Sequence, residues 1–374
     1  MVDPTPSTLP RASGPGDPRR LAVVLFNLGG PDSLDAVEPF LKNLFLDPAI
    51  IPAPGLIRKV LAGRIARKRA PITQEIYDKL GGKTPLLEMT HNQADELEKA
   101  LKSGALTSEF EEIRVFVAMR YWHPRAEEVV AEVKAWGPAQ VILLPLYPQY
   151  STTTSQTSID EWKREAVKQK LIAATRAQCC FAEDENFIAA HVTLLRGALE
   201  KVPGGVTPRV LFSAHGLPVS IIEKGDPYQD QIERTVAAVM KAPGFETLDH
   251  RVCYQSRVTP QEWIGPSTED EIERAGREGV GIVLSPVAFV SEHSETLVEL
   301  DLEYAELARE AGVACYIRVP ALGTHRAFMA SLQGLVEALA GRQDDCAFSG
   351  ARGGQTCSGQ FGACPRNSLQ LVEI

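Results

Sequence analysis

The sequence lacks several features that would decide its function quickly. No run of about 18 apolar residues is present, the length a membrane-crossing helix needs. Basic residues are in the minority, 39 Lys and Arg against 48 Asp and Glu, for a formal charge of −9. Nucleic-acid binding leans on the opposite balance, so no nucleic-acid partner is expected. The seven cysteines show no disulfide framework, and in a reducing compartment clustered cysteines point to metal or to nothing. The opening MVDPTPSTLPRASGPGDPRR has no apolar core of the secretory kind. Residues 1–20 are therefore expected to be a disordered arm and the protein cytoplasmic. The Gly-rich turn Asn27-Leu-Gly-Gly-Pro31 has neither G-x-G-x-x-G spacing nor the lysine of a phosphate loop. That favours a tight turn letting a ligand lie against backbone.

What is present is a series of short apolar runs. Strands are expected at 21–27, 113–119, 140–146 and 174–180, and again at 209–214, 250–256, 281–286 and 313–319. Such runs are too uniformly apolar for a sheet with one wet face, and read as parallel strands covered by helices on both sides. The expected fold is α/β, two doubly wound Rossmann-like domains, each with a four-stranded parallel sheet flanked by helices. Ligands in such sheets sit at the carboxyl ends of the strands. The domains are expected at 21–185 and 186–325, with the linker within 181–205. A helix at 326–342 is expected to pack back on the first domain, ahead of a loop-like, cysteine-bearing tail at 343–374. VILLPLYPQYSTTTSQTSIDEW and IVLSPVAFVSEHSETLVELDLEY echo each other, which suggests duplication with a cleft between paired loops.

Two segments carry chemistry. In Phe289–Tyr304, helical spacing puts Glu292, Glu295, Glu299 and Glu303 on one arc. A bare acidic stripe is most simply a solvated face. This one starts directly after a strand, where active sites collect, and carboxylates with an imidazole suit Fe²⁺. His293 falls off the stripe of an ideal α-helix, and a π-bulge would bring it closer. In Val210–Pro218 a strand runs into His215, placed for proton transfer or metal binding. Alone, it would read as a turn-capping histidine.

Together with VLFNLGGP, VAMRYWHP, LYPQYSTTT, DPYQDQ and YQSRVTPQEWIGP, the segments FSAHGLP and FVSEHSETLVELDLEY resemble the ferrochelatase family over about residues 20–340. The resemblance implies a chelatase-like fold and insertion of Fe²⁺ into protoporphyrin IX. Coproporphyrin III, a cobalt or nickel tetrapyrrole chelatase, and a non-enzymatic haem or metal carrier are the alternatives. It implies His215, His293 and Glu295 as catalytic residues, facing one another across a porphyrin pocket. His215 and Glu295 would take the metal, and Glu292, Glu299 and Glu303 would form a relay for metal or protons. Leu28, Arg69, Arg120, Tyr121 and Trp263 would line the pocket, and a homodimer is one arrangement the family allows.

Residues 50–69 interleave Arg58, Lys59, Arg64, Arg67, Lys68 and Arg69 with apolar residues. Such a stretch suits peripheral contact with an anionic membrane, here the inner membrane face, or a lid over substrate propionates. In the tail, Cys346, Cys357 and Cys364 are too loosely spaced for zinc. Some members of the family hold a [2Fe-2S] cluster with one internal and three C-terminal cysteines. Here the internal ligand would be Cys180 (or Cys179), because Thr152 stands at the position animal enzymes use. Cys253 and Cys315 are expected to be buried core thiols.

Overall fold

The computed structural model describes residues 19–256, 261–342, 348–350 and 361–365. Most of the expected arm, together with Cys346 and Cys357, lies outside the described residues. Among the described residues there are nine strands: β1 (Arg20–Asn27), β2 (Glu112–Met119), β3 (Gln140–Pro145), β4 (Ala174–Cys180), β5 (Pro208–His215), β6 (Asp249–Gln255), β7 (Gly281–Pro286), β8 (Tyr316–Arg318) and β9 (Phe348–Gly350). They form two sheets, ordered β2-β1-β3-β4-β9 and β6-β5-β7-β8, with every pair parallel. All eight expected strands form, and the two sets of four share one order, as the sequence echo anticipated.

Two details differ from expectation. The first sheet has five strands, because the tail contributes β9, which pairs with β4 and sets Gly350 opposite Cys180. Backbone N–H and C=O groups on the outer edge of β4 give the tail partners that its composition does not reveal. The last expected strand is also shorter. Cys315 falls just outside β8 and is only half-buried, whereas Cys253 is fully buried, with its thiol pushed up to about 12 by burial.

The strands are apolar throughout because both faces are covered. In β1, Leu21, Val23 and Leu25 meet Leu97, Leu332 and Leu335 on one side. Ala22, Val24 and Phe26 meet Val130 and Trp162 on the other. The period of two along a strand divides its residues in this way. The helix Arg326–Ala340 contributes Phe328, Leu332 and Leu335 to the first of these cores. Each such side chain stabilises by about 1.5–3 kcal/mol on burial. It packs on the helices Leu86–Lys102 and Glu185–Leu199. The latter begins at Asp184, whose carboxylate accepts from the N–H groups of Asn186 and Phe187. Buried amides tie the halves together: Gln93 Nε2 donates to the carbonyls of Val290 and Gly323, both at 3.0 Å, and Gln149 Nε2 to Thr235 Oγ1 at 3.0 Å.

Candidate active site

His215 ends β5, and its ring orientation is fixed locally. Nδ1 lies 2.7 Å from the carbonyl of Gly216. A carbonyl only accepts, so Nδ1 carries a proton, and in the neutral ring the lone pair is on Nε2. Nε2 is 3.9 Å from Glu295 Oε1, and both side chains remain about a third exposed, at 36% and 29%. Tyr228 Oη donates to the His215 carbonyl at 3.1 Å. Gly216 is required here: a Cβ would stand 3.0 Å from the Gln255 carbonyl oxygen and 3.2 Å from Trp263 Cε3. Trp263 thus flanks the turn that holds His215.

After β7 the chain reaches His293, two residues before a π-helix, Glu295–Glu303. The wide turn expected from the sequence is present, with the histidine at its mouth. His293 Nδ1 accepts the N–H of Glu295 at 3.0 Å, and its ring stands edge-on to Phe289. Burial holds its pKa below the ordinary histidine value, so the ring is neutral near pH 7. His215, His293 and Glu295 therefore converge in the second half of the chain, as neighbours.

The acidic stripe divides. Glu292 is taken by Arg318, at 2.6 Å, and by the N–H of Ala321. Burial would raise its carboxyl, but the guanidinium holds it below the usual range. Arg318 also grips Asp301 through two bonds, at 2.6 and 2.7 Å, spanning the π-helix from its entry to its third quarter. Glu299 is half-buried among neutral partners: Gln255 Nε2 at 3.0 Å, Ser256 N at 3.0 Å, Ser256 Oγ at 2.6 Å and Tyr304 Oη at 3.0 Å. Burial first, and the charge of Glu295 second, push its pKa up. Glu303 is exposed. Tyr304, Ser256 and Arg318 were not singled out from the sequence. The Tyr304 contact depends on the π register, since in an α-helix the fifth residue onward stands roughly 140° around the axis.

The expected pocket wall lies at the ends of β1 and β2. Leu28 is half-buried beside Tyr121. Arg120 is buried and gives Nη2 to Asp47 at 2.6 Å and Nη1 to Glu161 at 2.9 Å. Tyr121 Oη donates to the same Asp47 oxygen at 2.8 Å, and Arg125 reaches Glu161 at 2.6 Å. The helix Gly55–Asp78 covers this corner with Ala62, Ala66, Ala70 and Tyr77, and leaves Leu56, Ile57 and Val60 exposed. Tyr77 Oη meets Ser294 Oγ at 3.3 Å, linking that helix to the start of the π-helix. Arg69 is exposed, 5.7 Å over the Phe45 ring.

Of the tail cysteines only Cys364 is described, and it is buried. Cys179 and Cys180 are buried with their Sγ atoms 3.8 Å apart. The Tyr150 hydroxyl is raised by burial and then by Asp226, Cys179 and Cys364, which places both thiols in its surroundings. Ala363 N donates to the Gly225 carbonyl at 3.3 Å. Thr152 gives both N–H and Oγ1 to Asp226, each at 2.7 Å. Among the described residues, no three His, Cys, Asp or Glu side chains converge as a metal cage.

Comparison with known proteins agrees with this layout. The family model described as Ferrochelatase matches residues 20–339. A ferrochelatase of Caulobacter vibrioides is 49% identical over 93% of this chain and 97% of its own length. One from Hyphomonas neptunium is 47% identical over 94% and 96%. Among solved structures, SirB from Bacillus subtilis with Fe³⁺ superposes with a TM-score of 0.50 at 12% identity, covering 86% of this chain and 96% of its own, a likeness of fold. The chain belongs to the ferrochelatase family, enzymes that insert ferrous iron into a porphyrin.

Proposed function

We propose that the site at His215 inserts Fe²⁺ into protoporphyrin IX, giving protohaem and releasing two protons. The observation that carries this is the His215 Nε2 lone pair facing Glu295 Oε1 at 3.9 Å, both reachable from solvent. Two pyrrole protons must leave as the metal enters, and a neutral imidazole with a carboxylate behind it suits their removal. Glu295 shares the metal or takes the proton onward. His293, neutral and bonded to the Glu295 N–H, orients that residue. Trp263, Leu28, Tyr121, Arg120 and Arg69 bound the porphyrin's space. Glu299 continues the acidic path, while the pairing of Glu292 with Arg318 suits it to holding the π-helix. An anaerobic assay with Fe²⁺ and protoporphyrin IX should show the porphyrin visible bands change with many turnovers per protein. One equivalent bound without turnover would make the protein a carrier. Faster insertion into coproporphyrin III, or of Co²⁺ or Ni²⁺, would reassign the substrate.

The tail suits a [2Fe-2S] cluster held by Cys346, Cys357, Cys364 and Cys180 (or Cys179). Supporting this, β9 lies between Cys346 and Cys357 in sequence and pairs with β4 at Cys180. Cys364 also shares the surroundings of Tyr150 with Cys179. Four thiolates suit such a cluster, which would supply a one-electron centre and tie the tail to the sheet. Protein purified without oxygen should be reddish-brown and bleached by dithionite. Serine at Cys346, Cys357 or Cys364 should remove the colour, and serine at Cys253 or Cys315 should not. Serine at Cys179 and Cys180 separately identifies the internal ligand. Colourless protein without acid-labile sulfide would refute the cluster and leave the chelatase reading standing.

The exposed Leu56, Ile57 and Val60 among cationic neighbours favour peripheral attachment to anionic membranes. Sedimentation with vesicles containing phosphatidylglycerol should carry the protein down, and replacing these three residues by serine should release it.

A further inference from the structure

The acidic stripe has been read as running down one helix face to Glu303. The hydrogen bonds lead elsewhere. Tyr304 Oη stands 3.0 Å from Glu299 Oε1 and 2.9 Å from Glu269 Oε1. A phenol has a single proton to donate. If both carboxyls were ionised, one of these contacts would set a carboxylate oxygen against the phenol's lone pairs. One carboxyl therefore keeps a proton and donates it to Tyr304, which donates its own to the other. Burial and the charge of Glu295 raise the Glu299 carboxyl, which favours it as the one that keeps the proton. Tyr304 is buried, and its own ionisation is pushed further out of reach by burial and by both carboxyls, so it passes a proton without storing charge. Glu269, in the first turn of the helix Thr268–Glu278, is half-buried and stands at the outer end of the chain of bonds.

We propose that protons released in the cleft leave through Glu299, Tyr304 and Glu269, crossing from the π-helix to the neighbouring helix instead of continuing along the stripe to Glu303. This rests on the chelatase reading above. Each passage is a concerted shift: the Glu299 proton moves to the Tyr304 oxygen as the Tyr304 proton moves to Glu269. The phenol is left neutral, Glu299 is left ionised and ready for the next proton, and Glu269 releases its proton to water. Two passages clear the two protons of one insertion, and no electron changes hands. The π register is what makes the crossing available, because it places residue 304 over residue 299. Glu295 lies one turn earlier, with Oε2 buried and without a hydrogen-bond partner.

The test is single-turnover insertion of Fe²⁺ into protoporphyrin IX, followed anaerobically in H₂O and D₂O. Tyr304→Phe and Glu269→Gln should each slow insertion about 10- to 100-fold. Each should enlarge the solvent isotope effect and leave the KM for porphyrin unchanged. A change that only loosened the fold would not produce that combination. Glu269→Gln, at a half-exposed position, guards against misfolding of the tyrosine variant, and it should be slower than Glu303→Gln. Parental rate and isotope effect in Tyr304→Phe would overturn the proposal, as would a greater loss in Glu303→Gln than in Glu269→Gln. Glu295→Gln separates the two levels. If it is inactive while Tyr304→Phe is normal, the chelatase site stands and the exit is wrong. If Glu295→Gln is itself unimpaired, the site assignment fails too.

Discussion

In the first half of the chain, the carboxylate of Glu161, on the helix after β3, meets the guanidiniums of Arg120 and Arg125. In the second half, Glu299, on the π-helix after β7, meets neutral partners from Gln255, Ser256 and Tyr304 among the described residues. The strands β3 and β7 hold the same place in their sheets, as do β2, which leads into Arg120, and β6, which leads into Ser256. One topological corner has thus been filled in two ways. Where a cation answers the acid, the charge is matched and the corner is structural. Where amides and hydroxyls answer it, burial raises the carboxyl and the corner can take up and lose protons. A duplicated scaffold therefore does not imply duplicated chemistry: an arginine follows β2 and a serine follows β6.

The largest expected effects test that division directly. His215→Ala, in the titrating half, should abolish metal insertion, a loss of at least about 100-fold, while circular dichroism stays that of the parent. The side chain is partly exposed. Near-normal turnover would remove His215 from the mechanism. Arg120→Met, in the matched half, should act first on stability. It leaves the buried Asp47 carboxylate without a guanidinium and Glu161 with Arg125 alone, which costs about 3–5 kcal/mol in urea denaturation. A loss below about 1 kcal/mol would show that water reaches this corner, and that the contrast between the halves is weaker than the hydrogen bonds suggest.

Much of this was legible in the sequence, for physical reasons. Runs such as VILLP and IVLSP are apolar at every position, and only a sheet covered on both faces tolerates that. The parallel fold followed, as did the candidate site at its carboxyl edge. His215, His293 and Glu295 were legible because their motifs fix both residue type and distance from a strand end. The partners were not. Arg318 reaches Glu292 from a strand 26 residues further on, and no local period announces such a pairing. Tyr304 was hidden because helical periodicity assumes 3.6 residues per turn, and its contact needs the wider register. β9 was hidden for another reason: a Gly- and Ser-rich tail has no pattern of its own and takes its order from the edge it meets. Cys315 shows the reverse error, since an apolar neighbourhood in sequence did not place it inside the strand.

The smallest expected effect is also the sharpest probe of the contrast, because it reads the proton on Glu299 through stability. Its carboxyl is raised in the folded protein relative to the unfolded chain. A raised acid favours the fold in its protonated form. Its contribution is complete below the unfolded value, near pH 4, and is lost as pH rises through the folded value. Glutamine at that position cannot titrate. The melting temperature of Glu299→Gln minus that of the parent should therefore become more positive between pH 5 and pH 8, by roughly 1–3 °C. The sign at any one pH is less informative, because the new amide nitrogen faces Gln255 Nε2, donor against donor. The trend with pH is free of that offset, which is present at both values. Glu161→Gln is the control from the other half: it leaves Arg120 and Arg125 short of a partner and should lower the melting temperature at both pH values. If Glu299→Gln shows no trend, Glu299 is ionised throughout that range. Tyr304 would then hold two carboxylates apart with one proton, and the two corners would share the electrostatics that their hydrogen-bond partners set against each other.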